Sequence, residues 1–289
     1  MTGSCRLCFV LKGFFAVFLC ECLFCLRFFC RLICLRCKFA SVLLGVMISG
    51  LNIFLLVLFC TGASFVQRVS GFGFGIFIMT ALPFIMPSYG EATALSGLLS
   101  AAQSLYVLVS FYRFVAWRRL LFILLAFVVT SFFAVEYVAA VSDSCLKRLL
   151  GVALVLLSLY FLLTDGKVLL RPSVRVQLSA GALSGVMGGL FGMQGPPAVL
   201  YFMASERDKN CYMAMTQLYF LVGNVVMTFF RAENGFVTVA VGKAWLFAIV
   251  GVVVGSFFGK MVFDRVSADK LRRIVYFYMM VSGVVAFFS

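Results

Sequence analysis

The chain contains no histidine. That absence removes Ser-His-Asp and Cys-His catalysis, histidine-ligated zinc and histidine proton relays together. Charge is scarce too: 12% of the 289 residues are charged, and only ten are acidic. Most of those carboxylates fall in short charged loops, which leaves an acid–base enzyme little to work with. No Walker motif (G-x-x-x-x-G-K-S/T) occurs, so ATP hydrolysis by that device is excluded. Prolines number five, and two of them stand side by side at 196–197. A soluble domain needs far more polar residues to cover its surface than this chain has.

What fills the space is apolar. Hydrophobic residues make up 64%, phenylalanines number 35, and mean hydropathy is +1.14. Long apolar runs alternate with short charged clusters, the pattern of an all-α polytopic membrane protein whose first partner is the lipid bilayer. The runs do not alternate apolar with polar, which excludes a transmembrane barrel. A net charge of +14 would point to nucleic acid in a soluble protein. Here the cations sit in inter-helix clusters, where they set topology, and no nucleic-acid partner is expected.

Cysteine is unevenly spread. Eight of the eleven lie in residues 1–38, with Cys5-x-x-Cys8, Cys22-x-x-Cys25 and Cys34-x-x-Cys37. Such pairs can hold zinc, but the intervening Leu, Phe and Arg do not make the tight polar turns of a zinc knuckle. The stretch reads as a Cys-rich basic leader, an amphipathic or acylated segment set apart from the fold. No metal or other cofactor is expected. The body keeps only Cys60, Cys145 and Cys211, which is no disulfide framework.

The body repeats itself. "AVSDSCLKRLLGV" (140–152) aligns with "RVSADKLRRIVYF" (265–277), and "TSFFA" (130–134) with "GSFFG" (255–259), at an offset of 125. Upstream the offset is 122, and Gly73 meets Gly195. The "GFGFG" of the first half therefore corresponds to "FGMQGPP" (191–197) of the second. The expected organisation is a leader 1–38, a first transmembrane repeat 39–165, a cytoplasmic linker 166–176 and a second repeat 177–289.

The uncharged run 176–205 would make a straight helix about 45 Å long against a hydrocarbon core of about 30 Å. Its middle holds four glycines and two prolines within residues 188–197. Glycine costs about 1 kcal/mol and proline about 3 in a helix interior, so a broken or re-entrant helix is expected. Charge supports re-entry. If both glycine-rich segments return to the side they left, 19 of the 24 basic residues share one face. Lys147, Arg148, Arg231 and Lys243 then hold the other. If the second segment crosses, the split falls to 14 against nine. The positive-inside rule prefers the first arrangement, which inverts the two repeats and places the linker in the cytoplasm. Crossing helices are then expected near 40–58, 92–112, 119–140, 146–164, 211–231, 237–260 and 271–288, with re-entrant segments near 60–90 and 177–205.

Interrupted helices at matched positions in two repeats mark a transporter's substrate site. A break frees backbone N–H groups where a half-helix starts, and the macrodipole puts about half a positive charge there, so a small anion can bind without a cationic side chain. The candidate substrate-binding set is Arg68, Ser70, Gly71, Gly73 and Gly75 in the first break, and Gly192, Gln194, Gly195, Pro196 and Pro197 in the second. Gln103, Gln217 and Asn224 follow in the next helices. The competing readings are close packing by small residues, a snorkelling Arg68, and interhelical hydrogen bonding by the amides. Glu136 interrupts an apolar run and is a weaker candidate for proton coupling.

At these residues the chain resembles a known family. "VQRVSGFGFGIFIMTALPFIMPSYGEATALSGLLSAAQSL" is similar to the first-repeat signature of the TauE/SafE sulfite exporters. "GALSGVMGGLFGMQGPPAVLYFM" with "YMAMTQLYFLVGNVV" is similar to the second. The resemblance spans about residues 53–289. It implies a multi-pass cell-membrane transporter, not an enzyme, exporting small sulfur-containing anions such as sulfite or organosulfonates. Coupling to H+ or Na+ stays open, as does oligomeric state. An anion channel, or a transporter of another small anion, is the alternative. Two features depart from the family pattern: the leader, and Gln194 where a small residue is expected.

Overall fold

The computed structural model describes residues 50–164, 173–206 and 208–263, with scattered positions between 280 and 288. The leader 1–38, most of the linker and most of the helix expected at 271–288 lie outside the described residues. No strand occurs among the described residues.

One element order appears twice. The first run is α1 (Gly50–Ser70), a break, short α2 (Phe74–Ile78) and α3 (Leu82–Ile85), then long α4 (Tyr89–Phe111), α5 (Leu121–Ala140) and α6 (Asp143–Thr164). The second is α7 (Val174–Phe191), a break, short α8 (Gly195–Ser205), then α9 (Lys209–Glu233) and α10 (Val239–Val262). Polar caps start the long helices. Ser88 accepts from the Glu91 amide, Ser173 from Val176, Asp208 from Cys211 and Thr238 from Val241. Five described helices are long and apolar enough to cross a membrane: Asn52–Ser70, Tyr89–Phe114, Leu121–Ala140, Lys209–Glu233 and Val239–Val262.

One boundary differs from the sequence expectation. Among the described residues no break separates a crossing helix ending at 58 from a re-entrant piece starting at 60; α1 runs unbroken from Gly50 to Ser70. Gly62 does not interrupt it. A Cβ there would stand 3.0 Å from the Phe77 ring, so the glycine makes room for the returning α2.

Helices pack crosswise between the two runs. The most extensive interfaces join α1 to α10 and α7 to α5. The first helix of each run thus rests on a late helix of the other. Both seams use glycine at every fourth residue, and both stripes belong to the second run. Gly181, Gly185 and Gly189 set α7 against Ile123, Phe127 and Ala134 of α5. Gly251, Gly255 and Gly259 set α10 against Val57, Thr61 and Arg68 of α1. A Cβ at Gly185 would fall 2.6 Å from the Phe127 carbonyl oxygen. With no apolar driving force between helices in lipid, such backbone approach supplies the packing. For these glycines the close-packing reading holds.

Equivalent helices α4 and α9 also pair, and they run antiparallel. Gly97 near the start of α4 faces Arg231 near the end of α9, while Ala116 beyond α4 donates to the Met215 sulfur near the start of α9 (3.3 Å). Two ends of the bundle follow. Arg119 ties residues 112–120 to Glu206 (3.1 Å), and Gln177 donates to the Arg119 carbonyl oxygen, so the start of α7 and the end of α8 share one end. At the other end Asp143 accepts from the Tyr89 amide (3.0 Å), and Lys147 lies over the Phe84 ring. Helix α7 therefore leaves the first end and α8 returns to it. Helix α1, parallel to α10, leaves the second end, and α2 and α3 return there.

The surface is inside out relative to a soluble protein. Leu121, Leu125 and Phe133 of α5 and Leu246, Val250 and Phe257 of α10 face outward. Gln67, Ser100, Gln103, Ser104, Thr216, Gln217 and Asn224 are buried. In hydrocarbon, polar groups must find partners inside the protein.

Candidate functional site

The two breaks meet. Helix α7 ends at Gly192, whose φ of +67° is a left-handed cap that only glycine adopts cheaply. Helix α1 ends before Gly71 and Gly73, with φ of +86° and +104°. Gly75 packs directly on the Gly192 carbonyl, and a Cβ at 75 would collide with that oxygen. Between the breaks lies a cavity of about 20 Å³, room for about one water. Its wall includes Gln67, Gly73 to Ile76, Ser100, Gly192 to Gly195, Phe220 and Asn224.

Helix α9 holds both breaks open by satisfying the carbonyls they free. Gln217 Nε2 donates to the Gly71 carbonyl oxygen (2.7 Å), and Tyr212 to that of Ser70 (3.4 Å). The Ser70 hydroxyl bonds the Val66 and Phe72 carbonyls at 2.8 and 2.7 Å. On the second break, Tyr219 donates to Ser184 Oγ (2.8 Å), and Ser184 donates to the Gln194 carbonyl oxygen. Gln194 Nε2 donates to the Phe220 carbonyl oxygen (3.1 Å). Its Oε1 is buried without a partner and lies over Gly223, where a Cβ would strike it.

The first-turn amides of α2 and α8 border the cavity, and such amides have no partner within their own helix. In α8 the prolines at 196 and 197 carry no N–H, so Gly195 is the amide that turn brings to the cavity wall. Among the described residues no carboxylate and no cation lines the cavity. An oxyanion held here would meet the backbone amides of the two half-helices, the Ser100 hydroxyl and the Asn224 amide; the Gln67 and Gln194 amides already donate within the protein.

The residues expected from sequence divide three ways. Gly73, Gly75, Gly192, Gln194, Gly195 and Asn224 line the cavity. Ser70, Gly71, Pro196, Pro197 and Gln217 shape and tie the breaks. Arg68 and Gln103 lie elsewhere. The Arg68 guanidinium is clasped between the Phe111 and Phe263 rings, 5.4 and 5.6 Å from their centroids. Gln103 donates to the Ser64 carbonyl oxygen (3.3 Å) and accepts from Ser256, which is interhelical bonding. Glu136 is exposed and accepts from Asn234 (2.8 Å), away from the cavity.

Gln67 and Ser100 are the site residues that sequence reasoning misses. Gln67 is legible as an amide in an apolar run, but the cation beside it is the costlier group to bury and outranks it. Neighbours on a helix point about 100° apart, so only one of the two can face the cavity. Gln67 donates to Gln217 Oε1 (2.8 Å) and Ser104 Oγ (3.1 Å), which bridges α1, α4 and α9 at the cavity wall.

Comparison with known proteins finds a family and a relative. The family model described as sulfite exporter TauE/SafE matches residues 54–286. A relative from Cupriavidus necator, named "Probable sulfite/organosulfonate exporter TauE", is 24% identical over 217 residues, covering 74% of this chain and 85% of its own. No solved structure matches.

Proposed function

The chain belongs to the sulfite exporter TauE/SafE family, and on that premise we propose that it is a secondary transporter exporting sulfite or small organosulfonates across the cell membrane. The family consists of membrane transporters, not enzymes. The observation that carries the substrate class is the convergence of two half-helix starts on one cavity whose polar lining, among the described residues, offers amides and a hydroxyl and no carboxylate. Such a lining suits a small oxyanion, because dipoles and N–H groups stabilise negative charge without the desolvation cost of a buried cation.

The size of the cavity favours a transporter over a channel. At about 20 Å³ it does not admit a sulfur oxyanion as it stands, so the hairpins must part both to load and to release it. A larger recess of about 280 Å³, bounded by Arg119, Tyr201, Phe202, Ser205, Glu206 and Met215, opens at the α8 end. The inverted arrangement of the two halves, with one hairpin entering from each face, supports alternating access around a fixed site.

The test is flux of labelled sulfite into proteoliposomes holding the full chain. Saturable uptake, competed by methanesulfonate and driven by an imposed gradient, is expected. Ohmic current that does not saturate would establish the channel instead, and no anion-dependent flux at all would overturn the reading.

A further inference from the structure

Sequence alone sets Arg231 at the end of a crossing helix, as one of four cations on the less basic face. It is instead among the most deeply buried side chains, 1% exposed. Nη2 donates to the Gly188 carbonyl oxygen (2.8 Å) and lies 3.4 Å from that of Gly189. That arm caps the C-terminal turn of α7, where a cation is favoured. The other arm has no such employment. Nη1 is buried and makes no hydrogen bond, and among the described residues no carboxylate pairs with the side chain. The Thr228 hydroxyl, one turn back on α9, is also buried without a partner.

Both groups face Gly97 of α4, whose missing side chain leaves a notch between the two helices that is too tight for a methyl as it stands. A Cβ built on Gly97 of α4 would stand 3.0 Å from Arg231 Nη1, 3.3 Å from Thr228 Oγ1 and 4.0 Å from Asn224 Oδ1. Asn224 also lines the cavity between the breaks. Residues 224, 228 and 231 follow one face of α9, so this face leads from the cavity wall at Asn224 toward the second end, about 10 Å further along the helix.

We propose that Arg231 Nη1, Thr228 Oγ1 and the notch at Gly97 form a second anion station when α4 and α9 part, taking a sulfite or the sulfonate head of an organosulfonate as it passes between the central cavity and the α4 start. The inference rests on the anion-transport reading and adds the cation that the central cavity lacks. A buried guanidinium without a carboxylate carries an unbalanced charge in a medium of low dielectric, where an oxyanion is its natural counterion. The planar fork suits it: one arm fixes the side chain to α7, and the other is oriented toward the anion. One free arm and one hydroxyl hold an anion loosely enough to release it, as conduction between sites requires.

The experiment uses the full chain with Arg231→Lys, Gly97→Ala and Thr228→Val. Two readouts are taken: the rise of the unfolding midpoint with added sulfite or methanesulfonate, and KM and Vmax of sulfite flux. Arg231→Lys keeps a donor for Gly188 but not the fork, and is expected to bind about tenfold more weakly with KM raised alike. Gly97→Ala fills the notch and should lose affinity to a similar degree; Thr228→Val should lose less. A purely structural Arg231 would lower the midpoint without changing its dependence on anion. Parental affinity and KM in Arg231→Lys and Gly97→Ala would overturn the station. If the lysine variant does not fold, parental affinity in Gly97→Ala and Thr228→Val overturns it equally. A parent whose midpoint rises with anion but which shows no flux would sink the transport reading and leave the station standing. A parent whose midpoint no anion moves overturns the station.

Discussion

At the scale of single residues, the site depends on where side chains are missing. Gly75 and Gly192 let two backbones touch, and Gly223 leaves room for the Gln194 amide. This accounts for the long side chain that position 194 carries inside a break: its bulk is absorbed by a glycine on the facing helix. Gly75→Ala is the most direct probe. Its methyl would meet the Gly192 carbonyl, a backbone atom that cannot swing aside, so the breaks must separate. Overpacking of this kind costs about 1–3 kcal/mol. The expected result is a folded protein, somewhat less stable, whose sulfite affinity in equilibrium binding falls at least about tenfold. Unchanged affinity would show that the contact between breaks is not needed for the site. Glycine-rich breaks are readable in advance because glycine and proline act on the local backbone. Arg68 and Arg231 are not, because a cation near a helix end looks the same in sequence whether it meets solvent, two aromatic rings or an unfilled notch.

At the scale of elements, the breaks work because two crossed seams hold the half-helices firmly. Helix α1 is clamped by α10, and α7 by α5, each along a glycine stripe. Such stripes announce that a helix comes close without saying which one. The duplication at offsets of 122 and 125 predicts matched breaks, and the structure places them in contact. It cannot predict that each clamp comes from the other half, because a seam depends on surfaces distant in sequence. Gly255→Val tests the clamp. The new side chain would collide with the Thr61 carbonyl and crowd Ser64, whose Cβ stands 2.9 Å from where the first added carbon would sit. Loss of about 2–3 kcal/mol in reversible unfolding is expected. Val253→Leu, two residues away on the lipid-facing surface, should change stability by no more than about 0.5 kcal/mol. Equal effects at both positions would mean that the stripe is not a seam.

At the scale of the whole molecule, charge and hairpin direction make one joint statement. The described cations Arg113, Arg118, Arg119, Arg175, Lys209 and Lys260 gather at the end where α8 returns, against Lys147, Arg148 and Lys243 at the other. Burying Arg231 removes it from the second group and sharpens the asymmetry already present in the sequence. The positive-inside rule then puts the α8 end in the cytoplasm and the start of α6 outside. The cysteines can test this with little engineering. Cys145 is exposed in the first turn of α6, Cys60 is buried, and Cys211 is partly buried. With the eight leader cysteines and Cys211 replaced by serine, a membrane-impermeant maleimide should label Cys145 in intact cells. Adding Ser173→Cys, at the exposed cap of α7, should create a site that labels only after the membrane is opened. The reverse pattern would mean that the protein inserts the other way up. Labelling of both positions from the same side would break the antiparallel pairing of the two halves, and with it the idea that one hairpin enters from each face to share a single anion.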